Sequence, residues 1–381
     1  MTVTSPPQQS YILSIYHRGN RNRIQTNRPP GTMVTAPTDV QPLLTTPTLE
    51  AAVRRVQALS AGIVDPGERR RMVASALGTI WRRERPYSFT DAAGGAPRVL
   101  DAVLFRGEWE LLTHRVNTLT GVTDMTLVVE ADRTFAGDRR AFSLTDAEIA
   151  ARGWQDRVVA LRVELPDGLT DRHVVEAWQR NHLTEAVSRI AGPADLVLLA
   201  DIDEIPFAEA VDVQATQRQA LGMRQALFFA NHERIVGSPH QHFGAAVVPV
   251  TELEHSTPAE IREAARRPAS ASWTIRADAG VHLQYVATGG PLEAHLGALG
   301  RTGSEIESLL RDRDQVRAGA ALDGYVCLVP DRTLPGEIAD VDEDRLDAAL
   351  EYVIARADRH TGRRSAPVPD YLGSPAADES G

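Results

Sequence analysis

The 381-residue chain contains no lysine, so all 41 of its Lys+Arg residues are arginine. It has a single cysteine, Cys327, which excludes an internal disulfide framework and any cysteine-rich zinc site. No apolar run approaches the roughly 18 residues that a membrane span requires. The opening stretch MTVTSPPQQSYILSIYHRGN lacks the charged start and long apolar core of a secretory signal. A cytoplasmic protein without a membrane span is the expectation. Positive charge is also in deficit. A formal net charge of −10 disfavours a nucleic-acid backbone as partner, because that binding relies on clustered cations. The remaining composition, 43% hydrophobic and 24% charged, is that of a globular chain with enough apolar material for a sizeable core.

Residues 1–47 include a stretch rich in Pro, Thr and Asn without sustained periodicity, which reads as a flexible arm or linker. Over 48–97 apolar residues recur at helical spacing: Leu49, Val53 and Val56, then Val73, Leu77 and Ile80 after the break at Asp65-Pro66-Gly67. A helical accessory hairpin is expected there. From Arg98 strands alternate with helices. RVLDAVLF (98–105), MTLVVEA (125–131), DRVVALRVEL (156–165) and DLVLLA (195–200) read as strands. EWELLTHRVNTL (108–119) reads as a helix, as does a segment capped by Thr170 or Asp171 and stopped by Gly192-Pro193. This alternation predicts an α/β domain over 98–335 with a mostly parallel sheet, whose ligands sit at the carboxyl ends of the strands. A C-terminal helix over 336–360 and a disordered tail over 361–381 complete the expected organisation.

The strand DLVLLA runs into Asp201, Asp203 and Glu204, three carboxylates within four positions. In extended chain Asp201 and Asp203 share a side, and two carboxylates roughly 5 Å apart repel by about 3 kcal/mol at an effective dielectric of 20. A hard divalent cation, Mn²⁺ or Mg²⁺, turns that repulsion into binding and often shares its ligands with a diphosphate. A capped turn with solvated acids is the plainer alternative. Two enzyme classes use a D-x-D in this setting. In haloacid-dehalogenase-like phosphohydrolases the pair acts as nucleophile and general acid with help from a downstream lysine, which this chain does not contain. In nucleotide-sugar-dependent transferases the motif follows several strand–helix units and holds a metal against the donor.

Three ordered motifs favour the second class. Asp101, Leu104, Phe105, Glu108, Leu111, Leu112 and Arg115 form the first; Glu130, Thr134, Phe135 and Gly137 the second; Asp201, Asp203, Glu204, Ile205 and Pro206 the third. Together with Trp178, Arg180 and Asn181, over about residues 98–330, they resemble glycosyltransferase family 17, which includes β-1,4-mannosyl-glycoprotein β-1,4-N-acetylglucosaminyltransferases. The family's later G-W-H motif stands here as Gly280, Val281 and His282. The region 226–250 matches the family poorly.

The resemblance implies a GT-A-like (Rossmann-like) mixed sheet flanked by helices, with the N-terminal helices as an addition. It implies an inverting, metal-dependent transfer of a sugar, with N-acetylglucosamine the first guess, from a UDP-sugar to an acceptor hydroxyl. Asp203 and Asp201 would bind Mn²⁺ or Mg²⁺, with His282 completing the shell. Phe105, Arg106, Glu108, Glu130, Arg133, Trp178, Arg180 and Asp201 would serve the nucleotide sugar. A base must take the acceptor's proton; Glu233 is the leading candidate, with Glu254 and Glu204 behind it. His240 and His242 are placed on the acceptor side. A small molecule or cell-envelope precursor is the expected acceptor. Two alternatives stay open: a D-x-D phosphohydrolase, and a non-catalytic nucleotide-sugar-binding protein.

Overall fold

A computed structural model describes residues 49–89, 97–216, 219–229, 235–237, 243–266, 273–276, 279–284, 292–317 and 326–328. Two antiparallel helices come first, α1 (Leu49–Ser60) and α2 (Pro66–Glu84). Asp65 caps α2 by accepting the Glu68 N–H, and Pro66 occupies the first turn, where no amide donor is needed.

The alternating part follows as β1 (Val99–Phe105), α3 (Trp109–Thr118), β2 (Met125–Ala131), α4 (Asp146–Ala151), β3 (Val158–Val163), α5 (Arg172–Ser188) and β4 (Leu196–Leu199). After the acid motif come β5 (Glu204–Pro206), α6 (Val213–Thr216), β6 (Ala220–Arg224), β7 (Ala226–Phe229), β8 (Ile235–Gly237) and β9 (Phe243–Pro249). Last are α7 (Pro258–Ala265), β10 (Trp273–Arg276), β11 (Gly280–Gln284), α8 (Leu292–Ala298), α9 (Gly303–Arg317) and β12 (Val326–Leu328). The helix expected near the C-terminus lies outside the described residues.

The main sheet has the order β10-β6-β9-β4-β1-β2-β3, with β9 antiparallel to its neighbours and every other pairing parallel. A second sheet, β12-β8-β7-β11-β5, lies downstream of the acid motif. The expected mixed, mostly parallel α/β sheet is therefore present.

Strands β1 and β4 are buried along their whole length, as strands covered on both faces should be. Their side chains alternate between two cores. Leu100, Ala102 and Leu104 join Leu77, Ile80, Trp81 and the apolar stripe of α5, while Val99, Val103 and Phe105 face Leu111, Leu112 and Val116 of α3. Full burial of each such side chain contributes about 1.5–3 kcal/mol. The accessory helices are part of the first core. Asp171, the α5 cap, also accepts from Ser60 and Arg69, and Arg82 of α2 pairs with Glu260 of α7. The two helices that carry charge to the acid motif, α5 and α7, are thereby tied to α2.

Candidate active site

Alternation along β1 puts Asp101 on the α3 face, where Arg115 forms a wholly buried two-pronged pair with it at 2.8 and 2.7 Å. The remaining guanidinium nitrogen donates to the backbone carbonyls of Glu204 at 2.6 Å and Asp201 at 3.2 Å. The first motif's Asp and Arg therefore hold the backbone of the third. The acid turn also closes on itself: the Asp201 N–H donates to Glu204 Oε2 at 2.8 Å, and the Glu204 N–H to the Asp201 carbonyl at 3.0 Å.

Counter-charge arrives from both helices. Arg180 of α5 donates to Asp201 Oδ1 at 2.6 Å and to Glu176 at 2.8 Å. Arg262 of α7 donates to Asp201 Oδ2 at 2.6 Å, to both oxygens of Glu204 and to the Gly244 carbonyl. Burial alone would raise the Asp201 carboxyl, but Arg180 and Arg262 outweigh it and hold it well below the ordinary carboxylate range. Glu204 is lowered in the same way, its burial overcome chiefly by Arg262. Burial opposes the Arg262 charge in turn, and Asp201 and Glu204 raise it above its ordinary value.

The third acid is treated differently. Its partner is His282, whose Nε2 lies 3.3 Å from Asp203 Oδ2. That contact follows from strand pairing. β11 runs antiparallel to β5 with His282 opposite Glu204 and Gly280 opposite Pro206, and the Leu283 N–H donates to the Asp203 carbonyl at 2.8 Å. Gly280 is needed at this crossing, because a Cβ there would sit 2.3 Å from the Ile205 carbonyl oxygen. Val281, which replaces the family's tryptophan, is buried in the α3-side core, while the next residue, His282, meets Asp203. Burial disfavours a charged His282, yet Asp203, Glu204 and Asp201 raise its pKa above the ordinary value.

Arg106 stands beside these acids at the end of β1. Glu108 locks it, accepting from the Arg106 N–H at 2.6 Å and Nε at 2.9 Å. Burial opposes its charge, while Glu108, Asp203 and Asp201 raise its pKa. His295 of α8 is close enough to feel Arg106, Glu108 and Asp203, and is lowered first by burial and then by Arg106.

Several expected donor residues do other work. Phe105 is fully buried, edge-on to Trp109 with ring centroids 5.0 Å apart, because its place in the alternation turns it into the α3 core. Glu130 does have the partners its burial demands, namely Arg140, Ser143 and the Leu144 N–H, so it pins the 132–144 loop. Arg133 pairs with Asp167. Trp178 packs edge-on against Trp81 at 5.1 Å in the accessory-helix core. Arg180 reaches the site only as the partner of Asp201. Glu254 accepts the Phe89 N–H at 2.9 Å, and Glu204 is engaged by Arg262. Glu233, His240 and His242 lie outside the described residues. Sequence reasoning missed Arg262, Gly244 and His295.

Residues 88–232 match the model of glycosyltransferase family 17. This stretch is similar to glycosyltransferase family 17. The match begins inside the loop after α2 and ends before β8, so Gly244, Arg262, His282 and His295 of the same site come from beyond it. A mannosyltransferase from Pyrobaculum calidifontis, solved in complex with GDP-Man and Mn²⁺, is 14% identical over 72% of this chain and 89% of its own, with a TM-score of 0.32. That score is too low to carry an argument about donor or metal. No curated protein matches the chain.

Among the described residues, no group of three or more His, Cys, Asp or Glu is placed to hold a metal ion. Asp201 and Glu204 have their oxygens engaged by arginine. Asp201, expected as a metal ligand beside Asp203 and His282, has both oxygens taken by arginine, whereas Asp203 lies against the His282 imidazole. Two protein ligands suit a cation that takes its other ligands from water and a diphosphate. Among the described residues no helix is long and apolar enough to cross a membrane.

Proposed function

We propose that the chain transfers a sugar, with inversion, from a UDP-sugar to an acceptor hydroxyl, and that Asp203 and His282 hold Mn²⁺ or Mg²⁺ against the donor diphosphate. N-acetylglucosamine is the sugar the motif resemblance favours. The carrying observation is the unequal treatment of the acids. Asp201 and Glu204 are closed off by Arg180 and Arg262, while Asp203 keeps a carboxylate whose nearest partner is an imidazole at 3.3 Å. A bound divalent cation would stabilise the negative charge that grows on the departing diphosphate. Arg106, oriented by Glu108, supplies a fork for the diphosphate oxygens. Glu233 takes the proton of the acceptor hydroxyl. The acceptor class we propose is a small molecule or cell-envelope precursor met in the cytoplasm.

The test is binding of UDP and several UDP-sugars, by calorimetry and thermal shift, with and without Mn²⁺, in wild type and Asp203→Asn. Metal-dependent UDP-sugar binding that disappears in the variant supports the reading. Binding indifferent to both metal and Asp203, or a preference for simple phosphate over UDP, overturns it. Because arginines still balance Asp201 and Glu204 in Asp203→Asn, the variant should unfold within about 1 kcal/mol of wild type, which separates lost binding from lost fold.

A further inference from the structure

Residues of α2, α5 and α7, among them Arg180 and Arg262, line a partly open pocket whose water-sized space is about 20 Å³. That is room for one water-sized occupant. Besides Arg70 Nε, which lies 3.5 Å from Glu263, three buried nitrogens of its lining residues have no hydrogen-bond partner: Arg180 Nη1, Arg262 Nε and His173 Nδ1. These side chains are more than nine-tenths buried, at 4%, 2% and 8% exposure. A buried donor left unpaired is rare, and the two guanidinium nitrogens on one pocket are a demand for an acceptor. Arg70 and Arg266, partly exposed, stand at the same pocket and crowd their charges, so that burial and then Arg266 lower the Arg70 pKa. The four guanidinium groups are matched in number by Glu176 and Glu263 of the lining and by Asp201 and Glu204 of the acid turn, but every one of these carboxylates already accepts from an arginine, and none reaches the unpaired nitrogens. His173 is held near pKa 4 by burial, so at neutral pH it offers an N–H without a charge.

We propose that this pocket is a binding site for a single monatomic anion of the chloride class, held by Arg180, Arg262 and His173. Water is the weaker fit. It could accept from two of the donors, but its own hydrogens would then face guanidinium groups. An anion accepts from both guanidinium N–H groups, and from His173 in its Nδ1–H tautomer, with no hydrogen of its own to point at an arginine. Such an anion would complete the hydrogen bonding of the two arginines that grip Asp201, and so stiffen the acid turn. The site involves neither the donor nor Asp203, so its test is independent of the transferase reading.

The full-length protein is crystallised with sodium bromide, and anomalous difference density is read between Arg180, Arg262 and His173. A bromide peak there is expected; ordered water without anomalous signal overturns the proposal. In solution, Tm is followed against chloride at constant ionic strength, with acetate as the replacing anion. At about five times Kd the rise should be about 1–2 °C. His173→Phe removes a donor and fills the cavity, and should abolish the chloride response while keeping the Tm seen in acetate. Arg266→Gln should weaken the response several-fold. A Tm indifferent to anion identity, or a larger response to sulfate and phosphate than to chloride, overturns the site as assigned.

Discussion

Replacing Arg262 by methionine is the sharpest test of how the acid turn is held. Arg262 is 2% exposed and serves Asp201, Glu204 and the Gly244 carbonyl together. Methionine matches much of its volume and none of its charge, so the change isolates the electrostatic role. Removing one partner of a buried pair strands the other charge, at a cost of about 3–5 kcal/mol. Asp201 keeps Arg180, whereas among the described residues Glu204 keeps the Asp201 N–H and the field of His282 but no guanidinium, so the loss falls mainly on Glu204. Set against a typical stability of about 5–15 kcal/mol, the variant still folds and can be measured by urea denaturation.

The dependence on pH distinguishes this account from a simple packing defect. In wild type the pKa values of Asp201 and Glu204 are depressed by folding. Their stabilising contribution is present above the unfolded carboxylate range and is lost only as pH falls through the depressed folded values. Between pH 8 and pH 5 it is therefore constant. Without Arg262, burial raises Glu204, and protonating it relieves the stranded charge. The penalty should shrink by about 1–2 kcal/mol on going from pH 8 to pH 5. Adding Glu204→Gln to Arg262→Met should restore at least about 1 kcal/mol at pH 8. A penalty below about 1 kcal/mol, or one that is unchanged by pH and by the second substitution, would refute the reasoning.

Gly244→Ala puts a Cβ 1.9 Å from Glu204 Oε1, and Glu204 is clamped by Arg262, so a loss of about 2–3 kcal/mol in denaturation is expected. Gly78→Ala brings a Cβ within 2.3 Å of the Glu260 carboxyl carbon, and Glu260 can move only by giving up Arg82 and its cap on the Thr257 N–H, so a loss of about 2 kcal/mol is expected there as well; a cost near zero would contradict that clamping. Arg115→Met strands Asp101, which is 0% exposed, and should destabilise by about 3–5 kcal/mol while weakening UDP-sugar binding through the slackened turn. The pKa of His282 is raised on folding, so the stability it draws from Asp203 is present below its unfolded pKa and fades as pH rises through the folded value. His282→Gln should erase that decline in denaturation measured from pH 5 to pH 8.

The strands were legible because β1, β2 and β4 are short apolar runs bounded by polar turns, a pattern with few other readings. The site was legible only where chemistry is local in sequence. Asp201, Asp203 and Glu204 announce themselves as a cluster, and His282 follows from the residual family motif. Arg262 lies 58 positions from Glu204, on the amphipathic helix PAEIREAA, where it resembles any surface arginine. In a chain whose every cation is arginine, residue type gives no hint of which one is buried. Phe105, Glu130 and Trp178 were placed at the donor because they sit near strand or helix ends in matching motifs. Which way each points depends on strand alternation and on loops folding back, as residues 140–144 do over Glu130. Motif membership recorded their importance without separating contact with substrate from support of the fold.

Asp101 and Arg115 make the same point from the other side, because motif positions with a transferase ring to them serve to fix the carbonyls of the acid turn. Once that turn is fixed, the arrangement of charge decides what it can bind. An acid cluster fully balanced by arginine would have no use for a cation, and one left unbalanced would not stay folded at the end of a buried strand. Here α5 and α7 neutralise Asp201 and Glu204 from below, and β11 brings a titratable imidazole, not another guanidinium, to Asp203. An imidazole can lose its proton and become a ligand; an arginine cannot. On the proposed function, that difference leaves Asp203 to a metal, and it does so only while α7 is held in place, a task that falls to Arg82 and the accessory helices that precede the family 17 match.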